Sequence, residues 1–147
     1  MNIIKIFLLF ILSTSLWSAK IDIFANENSY FRGYDLALSV AKKENKTIML
    51  VLVADFCPWC KKFERKTLQN ELVSKLVKQN FIPIIVDNYR DVGSYPKKLS
   101  TSKLPTIYFI NPSTQKTISK STLYVNKNDF LVTMQKVIKI NKENKND

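Results

Sequence analysis

The sequence predicts an α/β fold in which a central β-sheet is flanked by helices on both faces. Residues 47–55, TIMLVLVAD, are apolar and rich in β-branched side chains without polar alternation, which is typical of a strand buried on both faces. The following segment, residues 61–80, instead places apolar residues at helical spacing among charged ones. With 46% hydrophobic and 12% aromatic residues, 147 residues suffice for one ordinary domain and leave no room for a second.

The N-terminal segment, residues 1–19, has the layout of a secretory signal peptide. Lys5 and the amino terminus precede an unbroken apolar run at residues 6–12, and small polar residues follow it. That run is shorter than the roughly 20 residues that a membrane-spanning helix needs. We therefore predict a cleaved leader at an undetermined bond, a single exported domain at residues 20–147 and a periplasmic location. The alternative is an uncleaved membrane anchor that leaves the domain facing the periplasm.

The remaining elements follow from hydrophobic periodicity. Apolar stripes predict two further helices, the first with Tyr34, Ala37, Leu38 and Ala41 on one face. In order, the predicted elements are a helix at 34–46, the strand at 47–55, a helix after Cys60 that is kinked or broken near Asn70, strands at 81–87, 106–110 and 117–125, and a helix at 128–140 that buries Phe130, Met134, Val137 and Ile138. Residues 87–103 are predicted to be mostly loop or to hold a short helix near 95–100, and the polar tail at 141–147 is expected to fray.

Charge and composition exclude several classes of function. The formal charge is +11, but the lysines are scattered and only three arginines occur, so we predict a solvated basic surface and no nucleic-acid binding. The chain has no histidine, which removes Ser-His and Cys-His nucleophilic pairs and imidazole zinc ligands. Two thiolates alone fall short of a closed four-ligand zinc site. We therefore predict no cofactor and no metal site.

Both cysteines of the chain, Cys57 and Cys60, lie in one short motif, FCPWC. A disulfide stabilises a protein mainly by closing a loop in the unfolded chain, which is worth about 2 kcal/mol for a loop of about four residues and about 3 kcal/mol for one of about 15. A structural staple would therefore gain more from distant cysteines. The tight spacing favours thiol-disulfide exchange, in which one sulfur attacks a partner's disulfide and the second resolves the mixed disulfide.

The position of the motif supports the same interpretation. Pro58 suits the first position of a helix, which places Cys57 at the junction of strand and helix. Unpaired N–H groups and the positive end of the helix dipole at that point stabilise a thiolate and lower the pKa of the thiol. Lys61 and Lys62 add positive charge on the next turn. Cys60 follows on the same side of the helix, within disulfide reach of Cys57.

A buried strand followed by Cys-Pro-Trp-Cys at the start of a helix resembles the thioredoxin superfamily. The downstream segment SKLPTIYFINP, residues 102–112, is similar to that superfamily's second landmark, a proline directly before a strand. The resemblance to the superfamily covers roughly residues 30–140. Within the superfamily, the chain more specifically resembles the exported thioredoxin-related subgroup, which is akin to the thiol-carrying domains of bacterial disulfide-interchange systems. It implies a mixed sheet, Cys57 as nucleophile and Cys60 as resolving cysteine. It also implies a cis peptide bond before Pro105, packed against the cysteine pair.

The resemblance further implies how a client would bind. The backbone of Leu104, beside Pro105, would hydrogen-bond an extended client segment in the manner of strand addition. Trp59 lies between the cysteines, where its ring either contacts the client or caps the hydrophobic core. We favour the contact with the client.

Two departures from the family pattern concern the site itself. Phe56 stands where the family usually has tryptophan before the first cysteine, and Val51 stands where thioredoxins carry a buried acid. Asp55 and Glu64 are nearby alternative acceptors for the proton of Cys60, although we favour the interpretation of each as a solvated charge.

Three functions from different classes remain open. The first is an exported thiol-disulfide oxidoreductase that exchanges disulfides with client proteins, as a monomeric reductant fed by a membrane electron donor of the disulfide-interchange type. The second is a non-catalytic binding or chaperone module with a structural disulfide. The third is a carrier of a soft metal such as Cu(I) on the two thiolates. The Pro-Trp dipeptide does not determine the reduction potential, and hence the direction of electron flow, within this superfamily.

Overall fold

The computed structural model describes residues 20–143, so the predicted signal peptide at 1–19 and its cleavage lie outside the described residues, as do the last four residues. The elements are α1 Lys20–Asn28, α2 Tyr34–Glu44, β1 Thr47–Val53, α3 Pro58–Phe63, α4 Glu71–Asn80, β2 Phe81–Asp87, β3 Thr106–Ile110, β4 Thr117–Thr122 and α5 Lys127–Glu143. A π-helical turn, Glu64–Leu68, continues α3, and a 3-10 turn, Lys97–Leu99, lies between β2 and β3.

The sheet is mixed and has the strand order β2-β1-β3-β4, which confirms the predicted α/β class. β1 runs parallel to β2 and antiparallel to β3, and β4 completes the hairpin with β3. All seven residues of β1 are buried, as expected for a central strand covered on both faces. Pro83 is tolerated in β2 because this strand lies at the edge of the sheet, where the Pro83 carbonyl accepts a hydrogen bond from Phe31.

Two hydrophobic cores cover the two faces of the sheet. On one face, Met49, Val51 and Val53 of β1 pack in the cysteine-face core. The alternate residues of β1 point into the opposite-face core, as the period of two in a strand requires. The cysteine-face core comprises Ile21, Phe24, Ala25, Met49, Val51, Val53, Cys60, Phe63, Leu68, Val73, Val77, Phe81, Ile85, Ile107, Phe109, Phe130, Met134 and Val137. The opposite-face core comprises Tyr34, Ala37, Ala41, Ile48, Leu50, Leu52, Ile82, Ile84, Val86, Tyr95, Leu99, Tyr108 and Ile110.

The predicted break near Asn70 is confirmed. The Asn70 side chain caps α4 by accepting a hydrogen bond from the N–H of Leu72, at 3.2 Å. The preceding π-helical turn is tied to the segment before α5, because the Thr67 hydroxyl donates to the carbonyl of Val125 at 2.8 Å. α3 and α4 are therefore separate elements, divided by the π-helical turn and the cap at Asn70.

Several sequence-based expectations need correction. α1 was not predicted, although Ile21, Phe24 and Ala25 form a short buried stripe at helical spacing. Residues 141–143, expected to belong to a frayed tail, are the last turn of α5. The 3-10 turn Lys97–Leu99 is not among these corrections, because it agrees with the short helix expected near 95–100 in the predicted loop segment. No helix within residues 20–143 is long and apolar enough to cross a membrane.

Candidate active site

Cys57 lies where the chain leaves β1 and enters α3. Its backbone is extended (φ −93°, ψ 107°), and its N–H donates to the carbonyl of Ala54 at 3.1 Å. Pro58 occupies the start of the helix, where its missing N–H leaves no carbonyl unpaired. Cys57 is thus the residue that caps α3, in agreement with the prediction.

The two cysteines form a disulfide across the first turn of α3, with their Cα atoms 5.2 Å apart. The Cys60 N–H donates to the Sγ of Cys57 at 3.2 Å, so a helix N-terminal donor points at this sulfur. Such a donor stabilises negative charge on the sulfur once the disulfide is reduced. Cys57 is half-buried and Cys60 is fully buried. An incoming disulfide therefore reaches Cys57 before Cys60.

The Leu104–Pro105 peptide bond is cis, as the resemblance implies. The next residue, Thr106, begins β3 and pairs with Leu52 near the end of β1. This register places Pro105 at the same end of the sheet at which the chain leaves β1 and continues to Cys57. Leu104 packs against both cores, and Cys57 packs against the cysteine-face core as well. The cysteine pair and the cis-proline loop, far apart in sequence, thus share one end of the molecule.

Of the two predicted proton acceptors, Glu64 is buried and Asp55 is partly exposed. Glu64 is only 7% exposed, so its interpretation as a solvated charge is wrong. Burial raises the pKa of Glu64, although Lys61, whose Nζ lies 3.3 Å from its Oε2, acts in the opposite direction. Asp55 pairs with Arg90 at 3.2 Å, and its Oδ1 lies 3.9 Å from the Lys61 Nζ. Lys61 therefore lies between the two carboxylates, on the turn that carries Cys60.

Asp87 is a site residue that the sequence interpretation missed. It is buried at the end of β2, where its carboxylate accepts hydrogen bonds from the N–H groups of Asp55 (3.1 Å), Tyr89 (2.9 Å) and Arg90 (2.9 Å). These bonds join the loop before Cys57 to the loop after β2. The only sequence signal was an acid at the end of an apolar strand, and such a signal does not identify the partners.

An ion-pair network extends from this loop to α1. Arg32 pairs with Asp22 at 2.7 Å and with Asp91 at 2.6 Å, and it also donates to the carbonyl of Ile85. Burial alone would raise the pKa of Asp91, but the N–H of Asp87 and the Arg32 guanidinium outweigh it and hold this pKa below its usual value. The network fixes α1 and the loop after β2 beside the edge of the sheet.

Two aromatic pairs lie near Cys57, one formed by Phe56 and the other by Trp59. Phe56, 75% exposed, stacks on Tyr89 with ring centroids 5.5 Å apart. Trp59, 56% exposed, lies 5.8 Å from Tyr124, which itself packs against the cysteine-face core. The Lys62 Nζ contacts both rings of this second pair, at 4.8 Å and 4.5 Å from their centroids. Within the described residues, no cluster of three or more acidic or cysteine side chains could hold a metal ion.

Comparison with known proteins agrees with this architecture. A family model described as thioredoxin-like matches residues 30–112. The thiol:disulfide interchange protein DsbD of Yersinia enterocolitica is 29% identical over 103 residues, which are 68% of this chain but 18% of that protein. Spermatogenesis-associated protein 20 of Mus musculus is 43% identical over 51 residues, which are 35% of this chain and 6% of that protein.

The solved structures give the same fold. The solution structure of a thioredoxin from Thermus thermophilus superposes with a TM-score of 0.62 at 18% identity, over 74% of this chain and 85% of that one. At this level of identity the likeness concerns the fold. The matches span only 18% of the length of the first of these two curated relatives and 6% of the second, so this chain corresponds to a small part of each.

Proposed function

The chain belongs to the thioredoxin-like family, and we propose that it is an exported thiol-disulfide oxidoreductase that reduces disulfides in client proteins. Family membership, together with a Cys-x-x-Cys disulfide at a helix N-terminus, supports thiol-disulfide oxidoreductase activity in general. The observation that carries the finer proposal is the asymmetry of the pair. One sulfur is half-buried and receives an N–H donor, and the other is fully buried behind it.

In the reduced protein, this asymmetry assigns an order to the two sulfurs. The Cys57 thiolate attacks one sulfur of a client disulfide, forms a mixed disulfide and releases the first client thiolate, which takes up a proton. Cys60 then loses its proton and attacks the Sγ of Cys57. The second client thiolate leaves, and the Cys57–Cys60 disulfide forms. Two electrons have passed to the client, and the protein must be reduced again before the next cycle.

The second step needs an acceptor for the proton of Cys60. Val51, where the family carries a buried acid, is fully buried and cannot accept one. Glu64 lies one turn after Cys60, and its raised pKa makes its carboxylate a better proton acceptor than that of an ordinary glutamate. We therefore assign the proton to Glu64, which is buried on the turn after Cys60, ahead of the more exposed Asp55.

The client would bind across the end of the molecule that carries Cys57. The Leu104–Pro105 loop provides backbone for an extended segment of the client, and Trp59 provides exposed aromatic area beside the cysteines. Aromatic rings contribute large contact areas at low entropic cost, so they suit a surface that accepts different sequences.

The electron donor and the location belong to the same proposal. Similarity to DsbD, which is named as a thiol:disulfide interchange protein, supports a partner of the disulfide-interchange type. We propose that this partner is the electron donor and that it lies in the membrane. The layout of residues 1–19 supports export to the periplasm, either as a cleaved form or as a form anchored in the membrane.

The decisive test uses the two cysteines separately. Cys57→Ser is expected to abolish reduction of insulin disulfides, because no thiolate remains at the exposed position. Cys60→Ser retains the attacking thiol but cannot resolve the intermediate, so it is expected to accumulate a mixed disulfide that non-reducing gels and mass spectrometry detect. Full insulin reduction by Cys57→Ser would refute the proposed order of the two sulfurs.

The direction of electron flow requires a separate measurement. Reduction potentials in this fold run from about −270 mV for thioredoxin to about −120 mV for DsbA. A reductant is expected near the low end when the Cys57–Cys60 pair is equilibrated with glutathione buffers. A potential near the high end would instead identify an oxidant of client thiols.

A further inference from the structure

A groove runs between α1 and the active-site helix α3, and the π-helical turn that continues this helix completes its lining. It encloses about 610 Å³, which is within the range of ligand-binding clefts. Its apolar lining consists of Ile23 and Phe24 from α1 and of Pro58, the residue next to Cys57. We call this feature the basic groove, for the charges on its rim.

Five cationic side chains line the basic groove, against two acidic ones. The cations are Lys20, Lys61, Lys62, Arg65 and Lys66. Of the two acids, Glu64 is buried and already paired with Lys61, which leaves Glu27. In the part of the chain that the structure describes, Lys20, Arg65 and Lys66 have no carboxylate within salt-bridge distance. The groove thus combines an apolar lining with uncompensated positive charge.

We propose that the basic groove docks an acidic, partly apolar segment of the protein that exchanges disulfides with Cys57. This inference rests on the proposed function and adds the chemistry of its partner. Carboxylates of such a segment would pair with the unpaired cations on the rim, while its apolar side chains would contact Ile23, Phe24 and Pro58. The net charge of the chain, +11, would speed the encounter with an acidic partner.

The shape of the groove favours a polypeptide segment over a membrane surface. A bilayer contacts flat or protruding basic patches, whereas an extended segment of chain can lie along an open groove with an apolar lining. Because Pro58 borders both the groove and Cys57, a docked segment would lie directly beside the reacting sulfur. Docking would therefore hold the disulfide of the partner near Cys57 and raise its effective concentration there.

One wall of the basic groove lies outside the region that the family model matches. That region begins at residue 30, whereas α1 ends at Asn28. The Arg32–Asp22 ion pair fixes α1 in place at 2.7 Å. The groove is thus formed jointly by the redox helix and by an element outside the matched region, so we assign to it the choice of partner rather than the exchange chemistry.

The test compares disulfide-bonded peptides that differ only in charge. One probe carries glutamate and leucine beside its cysteine, and the matched probe carries glutamine in place of glutamate. At low salt, the reduced full chain is expected to reduce the acidic probe about tenfold faster, an advantage that added salt removes. Arg65→Glu/Lys66→Glu is expected to abolish this advantage. Lys75→Glu/Lys78→Glu, the same charge change on the exposed side of α4, is expected to retain most of it.

Bis(2-hydroxyethyl) disulfide, a small neutral substrate, separates docking from chemistry, and all three proteins are expected to reduce it at the same rate. Equal rates for the two peptides in the wild type, or an unchanged advantage in Arg65→Glu/Lys66→Glu, would overturn the docking proposal and leave the proposed function standing. Failure of the wild type to reduce any of the substrates would overturn both. Binding to phosphatidylglycerol vesicles that is lost in Arg65→Glu/Lys66→Glu, with the peptide advantage intact, would assign the groove to a membrane surface instead.

Discussion

The two faces of the sheet differ in what covers them, although both draw on the same strands. The cysteine-face core is closed by α1, α3, α4 and α5, whereas the opposite-face core is closed by α2 and the segment that includes Tyr95 and Leu99. Within β1, Val51 and its alternate neighbours face the cysteines, and Leu50 and its alternate neighbours face α2. One strand therefore supports both a redox centre and a purely apolar layer.

The two cores therefore have different roles: both stabilise the fold, but only the cysteine-face core also supports disulfide exchange. The opposite-face core holds the sheet in place and has no reactive group among its members. The cysteine-face core includes Cys60, and the buried carboxylate of Glu64 lies one turn further along the same helix. Substitutions on the two faces should therefore cost similar stability but have different effects on disulfide exchange.

The largest expected effects come from removing one large side chain on each face. Leu50→Ala should lower the free energy of unfolding by about 2–5 kcal/mol and Phe63→Ala by about 3–5 kcal/mol, because both side chains are fully buried. Phe63 also packs edge-on against Phe130 at 5.3 Å, and this contact anchors α3. Phe63→Ala should therefore loosen the position of Cys60 and lengthen the lifetime of the mixed disulfide severalfold.

Denaturant titration measures the stability of both variants, and rapid chemical quench with a disulfide peptide measures the lifetime of the mixed disulfide. Leu50→Ala is the matched control, since it removes a similar apolar volume on the other face. A mixed disulfide that lives equally long in both variants would show that packing on the cysteine face does not position Cys60.

Local sequence signals were sufficient to predict those structural features whose residues lie close together in sequence. The uniform apolar run of β1 and Pro58 at the start of α3 each follow from a few neighbouring residues, whereas the role of the proline before β3 was recognised through the resemblance to the thioredoxin superfamily. The hairpin and the stripe of α5 were recognised from neighbouring residues as well. These features depend on backbone preferences and short periodicity, which a single sequence displays directly.

The features that sequence did not predict depend on contacts between distant segments. Glu64 is buried although its neighbours Arg65 and Lys66 are exposed, and sequence alone gives no way to distinguish the three. The network that joins Asp22, Arg32 and Asp91 likewise joins residues from three separate segments. Charge was visible at every one of these positions, but the partner of each charge was decided by the tertiary fold.

A smaller effect on stability is expected from the buried carboxylate of Glu64, and it depends on pH. Because burial raises the pKa of Glu64 above 4.5, the folded protein binds this proton more tightly than the unfolded chain does. The resulting stabilisation is complete below pH 4.5 and is lost as the pH rises through the folded-state pKa. Glu64→Gln carries no titrating group there, so its melting temperature relative to wild type should be higher at pH 7 than at pH 4.

Thermal unfolding at a series of pH values measures this difference. Glu143→Gln, in the exposed last turn of α5, is the matched control and should follow the wild type throughout. If Glu64→Gln instead became less stable relative to wild type between pH 4 and pH 7, the pairing of Glu64 with Lys61 would outweigh the cost of burying the carboxylate. If Glu64 also accepts the proton of Cys60, the same variant should resolve mixed disulfides more slowly at pH 7.

The smallest expected effect is on the rate of client reduction, and it comes from the exposed Trp59 rather than from either core. Trp59→Ala removes an aromatic surface beside the cysteines and releases Lys62 from its contact with the ring, without opening a cavity. Insulin reduction should slow by about three- to tenfold, which corresponds to about 1 kcal/mol of lost contact. Reduction of bis(2-hydroxyethyl) disulfide, which is too small to contact the ring and Cys57 together, should not change.

Leu72→Ala is the matched control for this prediction, because Leu72 is similarly exposed but lies on α4. It should leave both rates at the wild-type value. If Trp59→Ala slowed the reduction of both substrates equally, the ring would act on the cysteine pair itself. Trp59 would then support the exchange chemistry, as the cysteine-face core does. A loss confined to insulin would instead show that the exposed rim selects clients while the buried face provides the reaction, because only the larger substrate reaches both.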